Sequence, residues 1–236
     1  GKSSACCYQR PTCAVVATGD ELSEPGEPRK PGQIRNSNAS LLISLVQKAF
    51  AHACYLGIAH DQAESLRTKF KKGLQYDVLL VTGGVSAGKV DLVPRVLEQM
   101  GVQQVFHKVS LKPGKPLYFG TWNQKLIFGL PGNPVSGLVN FHLFVQPALR
   151  KLAGQNPPWL PAAFKVPLAV PFRHKADRPT YYPVKLTLQG GYWQAHPLPW
   201  KGSGDLRTLT QATSFAILPP VEIQLLAGDE VEVLVL

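Results

Sequence analysis

The stretch Tyr76-Asp-Val-Leu-Leu-Val-Thr-Gly-Gly-Val-Ser-Ala-Gly-Lys-Val-Asp91 constrains the fold more than any other part of the chain. Residues 78–81 are an unbroken run of valine and leucine, the pattern of a strand buried on both faces of a parallel sheet. The run ends at Gly83 and Gly84, which can take positive φ and bring the backbone close to a ligand. Asp91 then reads as a helix cap, with Pro94 in the first turn and Leu92, Val93, Val96, Leu97 and Met100 as an apolar stripe. Residues 83–89 spell G-x-x-x-x-G-K, but Val90 stands where a phosphate-binding P-loop needs a hydroxyl to reach magnesium. The helix also starts at about Asp91 rather than at the Gly-Lys pair, so the unit is strand, glycine loop and helix without being a P-loop.

Around this unit the pattern repeats. A strand at residues 13–18 leads into a long Gly- and Pro-rich loop, residues 23–38, whose length without periodicity marks it as functional. Asn38 is placed to cap a helix carrying Leu41, Leu42, Leu45, Val46, Ala49 and Phe50 on one face. A strand at 55–59 is followed by Asp61, which with Glu64 reads as a capping box opening a helix to Lys72. Further strands fall at 102–109, 117–120 and 126–130, the last two joined by a turn at 121–124. Asn133 caps a long helix with Pro134 at its first position, a kink at Pro147 and a stop at Gly154. Residues 156–161 read as a linker. Beyond it the strands at 164–170, 181–188, 191–195, 214–218 and 230–236 follow one another without helices. The expected architecture is α/β: residues 12–154 form a three-layer open sheet of mostly parallel strands with helices on both faces, and residues 162–236 form a small all-β domain.

With 236 residues, 44% of them hydrophobic and 17% charged, the chain is long enough to give two such domains a core each. No apolar run reaches membrane-spanning length and residues 1–11 lack the apolar core of a secretory signal, so a cytoplasmic protein with no membrane partner is expected. The four cysteines form no C-x-x-C pair and read as reduced bystanders. A net charge of +10 favours anionic ligands. Its densest cluster, Lys69, Lys71 and Lys72, has no interleaved aromatics and reads as a solvated face, so no nucleic-acid partner is expected.

Right-handed crossovers between parallel strands bring all strand-to-helix loops to one sheet edge. That edge gathers Thr18 to Glu21, Asp61, Gly83 to Asp91, Lys108 to Lys115, and Pro131 to Ser136. Carboxylates suit Mg²⁺, lysines neutralise oxyanions, and the amides of a helix start bind phosphate. Together they read as a site for a phosphorylated ligand with a divalent metal, although Asp61 and Asp91 taken singly also read as helix caps.

Four motifs occur here in one order: Thr18-Gly-Asp-Glu-Leu22, Thr82-Gly-Gly-Val-Ser86, Lys112-Pro-Gly-Lys-Pro116 and Gly129-Leu-Pro-Gly-Asn-Pro-Val-Ser136. In order and spacing the chain resembles the molybdopterin molybdenumtransferases, the family of bacterial MoeA and the gephyrin E domain, over that family's two carboxyl-terminal domains. The resemblance implies insertion of molybdate into adenylylated molybdopterin with release of AMP, assisted by Mg²⁺. It implies Glu21, Asp61 and Asp91 as catalytic and metal-binding residues. Thr18, Gly19, Asp20, Gly83, Gly84, Ser86, Lys108, Lys112, Pro131, Gly132, Asn133, Ser136 and Ser203 are implied in binding molybdopterin-AMP and molybdate. Lys89, Asn36 and Pro183 depart from the residues usual in the family and lower the negative charge or the anion contacts at the site. The family's full-length members are implied to be homodimers whose amino-terminal domains complete the site, so this chain is expected to be incomplete as an enzyme. The alternative is a non-catalytic pterin-binding or protein-interaction module of the same fold.

Overall fold

The computed structural model describes residues 1–85 and 92–236. In chain order its first unit contains β1 (Thr12–Thr18), the short pair β2 (Leu22–Ser23) and β3 (Ile34–Arg35), α1 (Ser37–Lys48), β4 (His52–Ala59), α2 (Ala63–Gly73), β5 (Val78–Thr82) and α3 (Leu92–Gln99). It continues with β6 (Gln103–His107), β7 (Tyr118–Trp122), β8 (Lys125–Leu130), α4 (Pro134–Asn140), a π-helical turn (Phe141–Val145) and α5 (Gln146–Leu152). Six of the strands form one sheet in the order β4-β1-β5-β8-β7-β6. Its strands run parallel except β7, which is antiparallel to both neighbours.

Strand periodicity decides the layering. In β1, Cys13 and Val15 enter a core with Leu42, Leu45 and Val46 of α1 and Val139 of α4. Ala14 and Val16 point to the opposite face and pack with Leu66 and Phe70 of α2 and Val93, Val96 and Leu97 of α3. Val78 and Leu80 of β5 join the first core, and Leu79 and Val81 join the second. An unbroken apolar strand therefore supplies two helix layers at once, which is why it lacks a polar face. From β1 the chain crosses to β4 on one side and then to β5 on the other, so the strand order reverses at β1 and opens a crevice at the carboxyl edge.

The second unit contains β9 (Ala163–Pro167), β10 (Phe172–His174), β11 (Thr180–Gln189), β12 (Tyr192–Pro197), α6 (Leu206–Leu209), β13 (Ser214–Leu218), β14 (Ile223–Leu225) and β15 (Glu230–Val235). Five strands form an antiparallel sheet in the order β12-β11-β13-β15-β9, and β10 pairs with β14. One face of this sheet carries Val166, Val184, Ala216 and Val233 into the unit's own core. Alternate residues, Phe215 and Leu234, enter the core of the first unit beside Val145 and Leu149. The connecting segment is held as well: Trp159 donates from Nε1 to the Gln155 carbonyl (2.8 Å), and the Arg150 guanidinium donates to the Trp159 carbonyl (2.9 Å).

Several local expectations change. The cap of α1 is Asn36, whose side chain accepts from the Ala39 N–H (3.2 Å), and Asn38 lies inside the first turn. No capping box forms at Asp61 and Glu64. The cap of α2 is Gln62, one residue later, because Asp61 is turned by a hydrogen bond from its N–H to Asp20 Oδ1 (3.3 Å). Asn133 stands at the start of α4 without a capping hydrogen bond, its side chain donating to Ser203 instead. The irregularity expected at Pro147 takes the form of the π-helical turn just before it. The β-unit is not free of helix, since Asp205 caps α6 by accepting from the Thr208 N–H (3.0 Å). The cap expected at Asp91 lies outside the described residues. Among the described residues no helix is long and apolar enough to cross a membrane.

Candidate functional site

Two adjoining cavities open at the carboxyl edge of the large sheet. The larger, about 710 Å³, is lined by the loop ends of β1, β4, β5 and β8, by the start of α1, and by Gly204 and Leu206 from the β-unit. The smaller, about 370 Å³, lies between the 111–116 loop, Ser136 of α4 and the β-unit residues Arg178, Trp200, Gly202 and Ser203. Pro116, Pro131 and Asn133 line both and form the wall between them.

Glycine makes the larger cavity. Gly83 (φ +95°) and Gly84 (φ +63°) turn the chain off β5 directly against Thr18. A Cβ on either would lie 2.9 Å from the Thr18 hydroxyl, and on Gly83 it would also collide with the Thr18 carbonyl. Thr18 is 3% exposed, and its hydroxyl, facing this turn, has no hydrogen-bond partner among the described residues. Asn38 fixes the opposite wall, donating from Nδ2 to Thr82 Oγ1 (3.0 Å) and to the Gly132 carbonyl (2.7 Å). The ends of β5 and β8 are thus tied to the first turn of α1.

Of the expected site residues, Thr18, Gly19, Glu21, Asp61, Gly83, Gly84, Pro131, Gly132 and Asn133 line the larger cavity. Lys112, Ser136 and Ser203 line the smaller one. Two lie elsewhere. Asp20 faces His60, with Oδ1 3.0 Å from Nδ1, accepts from the Asp61 backbone N–H (3.3 Å) and lines neither cavity. Lys108, in the left-handed region (φ +85°), is exposed and lines neither cavity. Ser86 and Asp91 lie outside the described residues, as does Lys89.

The larger cavity carries charges of both signs, Glu21 and Asp61 with Arg29 and Arg35, whereas the charged side chains of the smaller are all cationic. Glu21 and Asp61 line the larger one, and among the described residues neither carboxylate has a cation or hydrogen-bond donor on its oxygens. Two free carboxylates suit a hard cation such as Mg²⁺, which is held by one or two carboxylates, water and ligand phosphates. Among the described residues no cluster of three acidic, His or Cys side chains forms a complete metal cage. The smaller cavity is lined by Lys112, Lys115 and Arg178 and by no Asp or Glu. Just behind it His174 is buried among Phe172 and Tyr182. Burial, and then the Lys112 charge, hold its imidazole below the usual range. Lys112 is fixed by its backbone, donating to the Pro179 carbonyl (2.9 Å) and accepting from the Tyr181 N–H (2.8 Å). The β-unit is therefore hydrogen-bonded to the lysine loop itself. Gly114 (φ +115°) lets the other side of the same loop pack against α4, since a Cβ there would lie 2.6 Å from Asn140 Oδ1. Asn133 Nδ2 donates to Ser203 Oγ (2.9 Å), and the Val135 N–H donates to the Ser203 carbonyl (3.1 Å), closing the wall between the cavities.

Sequence reasoning missed the wall built by Arg29, Arg35, Asn36, Ser37 and Asn38. The length of the 23–38 loop signalled function without identifying residues, and Asn36 stood out only as a departure from a family pattern. It is buried, caps α1 and donates from Nδ2 to the Tyr55 hydroxyl (2.6 Å), so its amide has a structural use at that position.

An open α/β sheet with a ligand-sized cleft at its switch point, completed on one side by a β-domain, defines a small-molecule-binding protein of the doubly wound class. Residues 14–151 match the family described as probable molybdopterin binding domain, and residues 165–236 match the MoeA C-terminal region, domain IV. The chain belongs to this molybdopterin-binding family, in the form that carries the MoeA carboxyl-terminal region. It is similar to the molybdopterin molybdenumtransferase of a Nostoc species, 36% identical over 96% of this chain and 53% of the relative. It is also similar to the Bacillus subtilis protein of that name, 32% identical over 100% of this chain and 55% of the relative. The molybdopterin biosynthesis MoeA protein from Pyrococcus horikosii superimposes with a TM-score of 0.81 at 32% identity, over 96% of this chain and 54% of that one. The chain spans about half the length of the relatives it matches.

Proposed function

We propose that this chain carries the substrate-binding part of a molybdopterin molybdenumtransferase, which inserts molybdate into adenylylated molybdopterin and releases AMP. The observation that carries the reading is the pair of cavities sharing one wall. The larger, with glycine turns, a helix start and two carboxylates, suits a phosphorylated heterocycle and is within the usual size of ligand pockets. The smaller has only cations among its charged side chains, with two serine hydroxyls, and suits a compact tetrahedral dianion. Ligands in the two sites would approach each other across Pro116, Pro131 and Asn133.

Within this reading, Lys112, Lys115 and Arg178 neutralise molybdate while Ser136 and Ser203 orient its oxygens. Glu21 and Asp61, with Asp91, would hold Mg²⁺, which when bound supplies charge neutralisation at the phosphates. Asp20 holds the Asp61 backbone. The Gly83–Gly84 turn lets the ligand approach the sheet edge, and the β-unit excludes water from the oxyanion side. A homodimer of the full-length protein, and a place in the cytoplasm, belong to the same proposal.

The test is AMP release from molybdopterin-AMP with molybdate and Mg²⁺, alongside calorimetric binding of each substrate. Lys112→Ala is expected to weaken molybdate binding by about tenfold or more, the worth of a charged hydrogen bond, and to lower AMP release. Substrate binding without AMP release would favour the non-catalytic module. Molybdate affinity unchanged in Lys112→Ala would remove the smaller cavity from the reading.

A further inference from the structure

The end of α1 holds a residue that its backbone does not suit. The Phe50 N–H donates to the Gln47 carbonyl (3.0 Å) and the Ala51 N–H to the Val46 carbonyl (3.1 Å), the pair of bonds that closes a helix in a Schellman motif. That motif puts the residue after the cap in the left-handed region, a position filled mostly by glycine, and Phe50 sits there at φ +60°. A bulky side chain at positive φ is a steric outlier. Packing does not offset the strain, because Phe50 is 63% exposed. Among the described residues it is the only apolar side chain at positive φ. Strain of this kind clusters at ligand and partner sites.

α1 starts at the cavities and ends at the opposite edge of the sheet, where β1 and β4 begin. Residues 8–11 cross this amino edge. The Tyr8 ring lies against Gly154, just after α5, where a Cβ would collide with it, and the Pro11 carbonyl accepts from the His52 N–H (2.8 Å). Three residues reach at most about 11 Å, so Tyr8, itself 75% exposed, shares one small face with Phe50. Around these aromatics the charge has one sign. Residues 8–12, 47–53 and 150–160 contain no Asp or Glu. Arg10 and Lys48 are exposed and pair with no carboxylate among the described residues. Asp77, at the start of β5, is already occupied by Thr12 and Lys125. A helix C-terminus contributes about half a negative charge, so Lys48 on α1, and Arg150 with Lys151 on α5, leave this edge positive.

We propose that Phe50, with Tyr8 beside it, anchors a protein-docking surface at the amino edge of the sheet, and that its partner is an acidic peptide segment carrying a large apolar side chain. An aromatic anchor with a charged rim is the anatomy of an interface hot spot, and the cationic rim calls for carboxylates on the partner. The cations cluster about one aromatic face instead of lining a groove that could track a nucleic-acid backbone. The surface lies across the sheet from both cavities and does not depend on what they bind.

The test is selection from a random peptide library on the whole chain, followed by calorimetry of the enriched peptides. These are expected to combine Asp or Glu with an aromatic or aliphatic residue and to bind more weakly as salt rises. Phe50→Gly is expected to weaken their binding at least tenfold while raising the melting temperature by about 2–4 °C, since glycine suits the left-handed position. Arg10→Glu should slow association and flatten its salt dependence. Peptides held as tightly by Phe50→Gly as by the parent would overturn the proposal, and so would a parent chain that enriches none of this composition. A melting temperature lowered by Phe50→Gly would make Phe50 a packing residue and overturn it too. Phe50-dependent binding of a DNA duplex or of phosphatidylglycerol vesicles in place of acidic peptides would reject the peptide partner.

Discussion

Gly83 and Gly132 look alike in the sequence, each following the end of a central strand, yet the structure separates them. A Cβ on Gly83 would collide with the Thr18 backbone at a positive φ, whereas on Gly132 it would meet only Gly83 Cα, at 3.7 Å. Gly83→Ala is expected to cost about 1–3 kcal/mol or more and to close the larger cavity. Gly132→Ala should stay within about 0.5 kcal/mol of the parent. Denaturant titration of both compares them directly, and equal losses would show that the turn is not what requires glycine. Asp77 provides a residue-scale pH test. Burial works to raise its pKa, but hydrogen bonds from the Thr12 N–H (2.8 Å) and hydroxyl, with Lys125 at 3.1 Å, outweigh that and hold it below its ordinary 3.8. A depressed carboxylate pKa gives stability that is complete above the unfolded value and is lost as pH falls through the folded one. Asp77→Asn should therefore shrink the gap in stability between neutral pH and about pH 3, and an unchanged gap would discount the Thr12 anchor. The notable residues of the site were only partly legible. Glu21 and Asp61 announced themselves by following strands, but Arg29 and Ser37 belong to a loop and a helix start whose convergence depends on the chain's return across residues 22–35.

At the scale of elements, what could be read was what burial writes into the sequence. β1 and β5 are apolar without interruption because they serve two cores, and α1 shows its stripe because one face packs on the sheet. The strands β10 and β14, three residues each, carry too short a pattern to stand out from loop. The cap of α1 was misplaced because Asn36 and Asn38 are both able to cap, and only the tertiary contact of Asn38 with Thr82 and Gly132 decides between them. The π-helical turn before Pro147 shows a similar dependence on surroundings. It buries His142, whose Nδ1 lies 2.9 Å from Gln146 Oε1 while Nε2 has no partner among the described residues. Burial is the main cause holding this imidazole below its ordinary 6.5, with the charges of Lys48 and Arg150 acting in the same sense. The unfolded chain takes up the proton first as pH falls through about 6.5, so stability is complete above that value and is lost toward the lower folded pKa. Urea midpoints at pH 7.5 and 5.5 should therefore differ more in the parent than in His142→Gln. A variant with the parent's full pH dependence would place the effect elsewhere, His174 being the other buried imidazole with a lowered pKa.

For the molecule as a whole, the two units are less separate than the linker composition implied. Paired domains in one chain ordinarily meet through modest, fairly polar interfaces and move independently unless the interface is large and apolar. Here Phe215 is completely buried and, with Leu234, sits in the same core as Val145 and Leu149 of the α/β unit. The Lys112 loop pairs with β11 through two backbone hydrogen bonds, and the wall between the cavities is closed from the β-unit through Ser203. Loss of the β-sheet would expose one face of the first unit's core and unmake both cavities, so the units should unfold together. Far-UV circular dichroism reports chiefly on the helices of the first unit. Tryptophan emission draws on Trp193 and Trp200 of the second unit as well as Trp122 of the first and Trp159 of the connecting segment. Coincident denaturant transitions by the two probes are expected. Phe215→Ala should lower stability by about 3–5 kcal/mol through the cavity it leaves, shifting both probes together. If emission instead moved alone to lower denaturant, the β-unit would be an independently melting domain, and the smaller cavity would then lose its Arg178 and Ser203 wall before the larger sheet was disturbed.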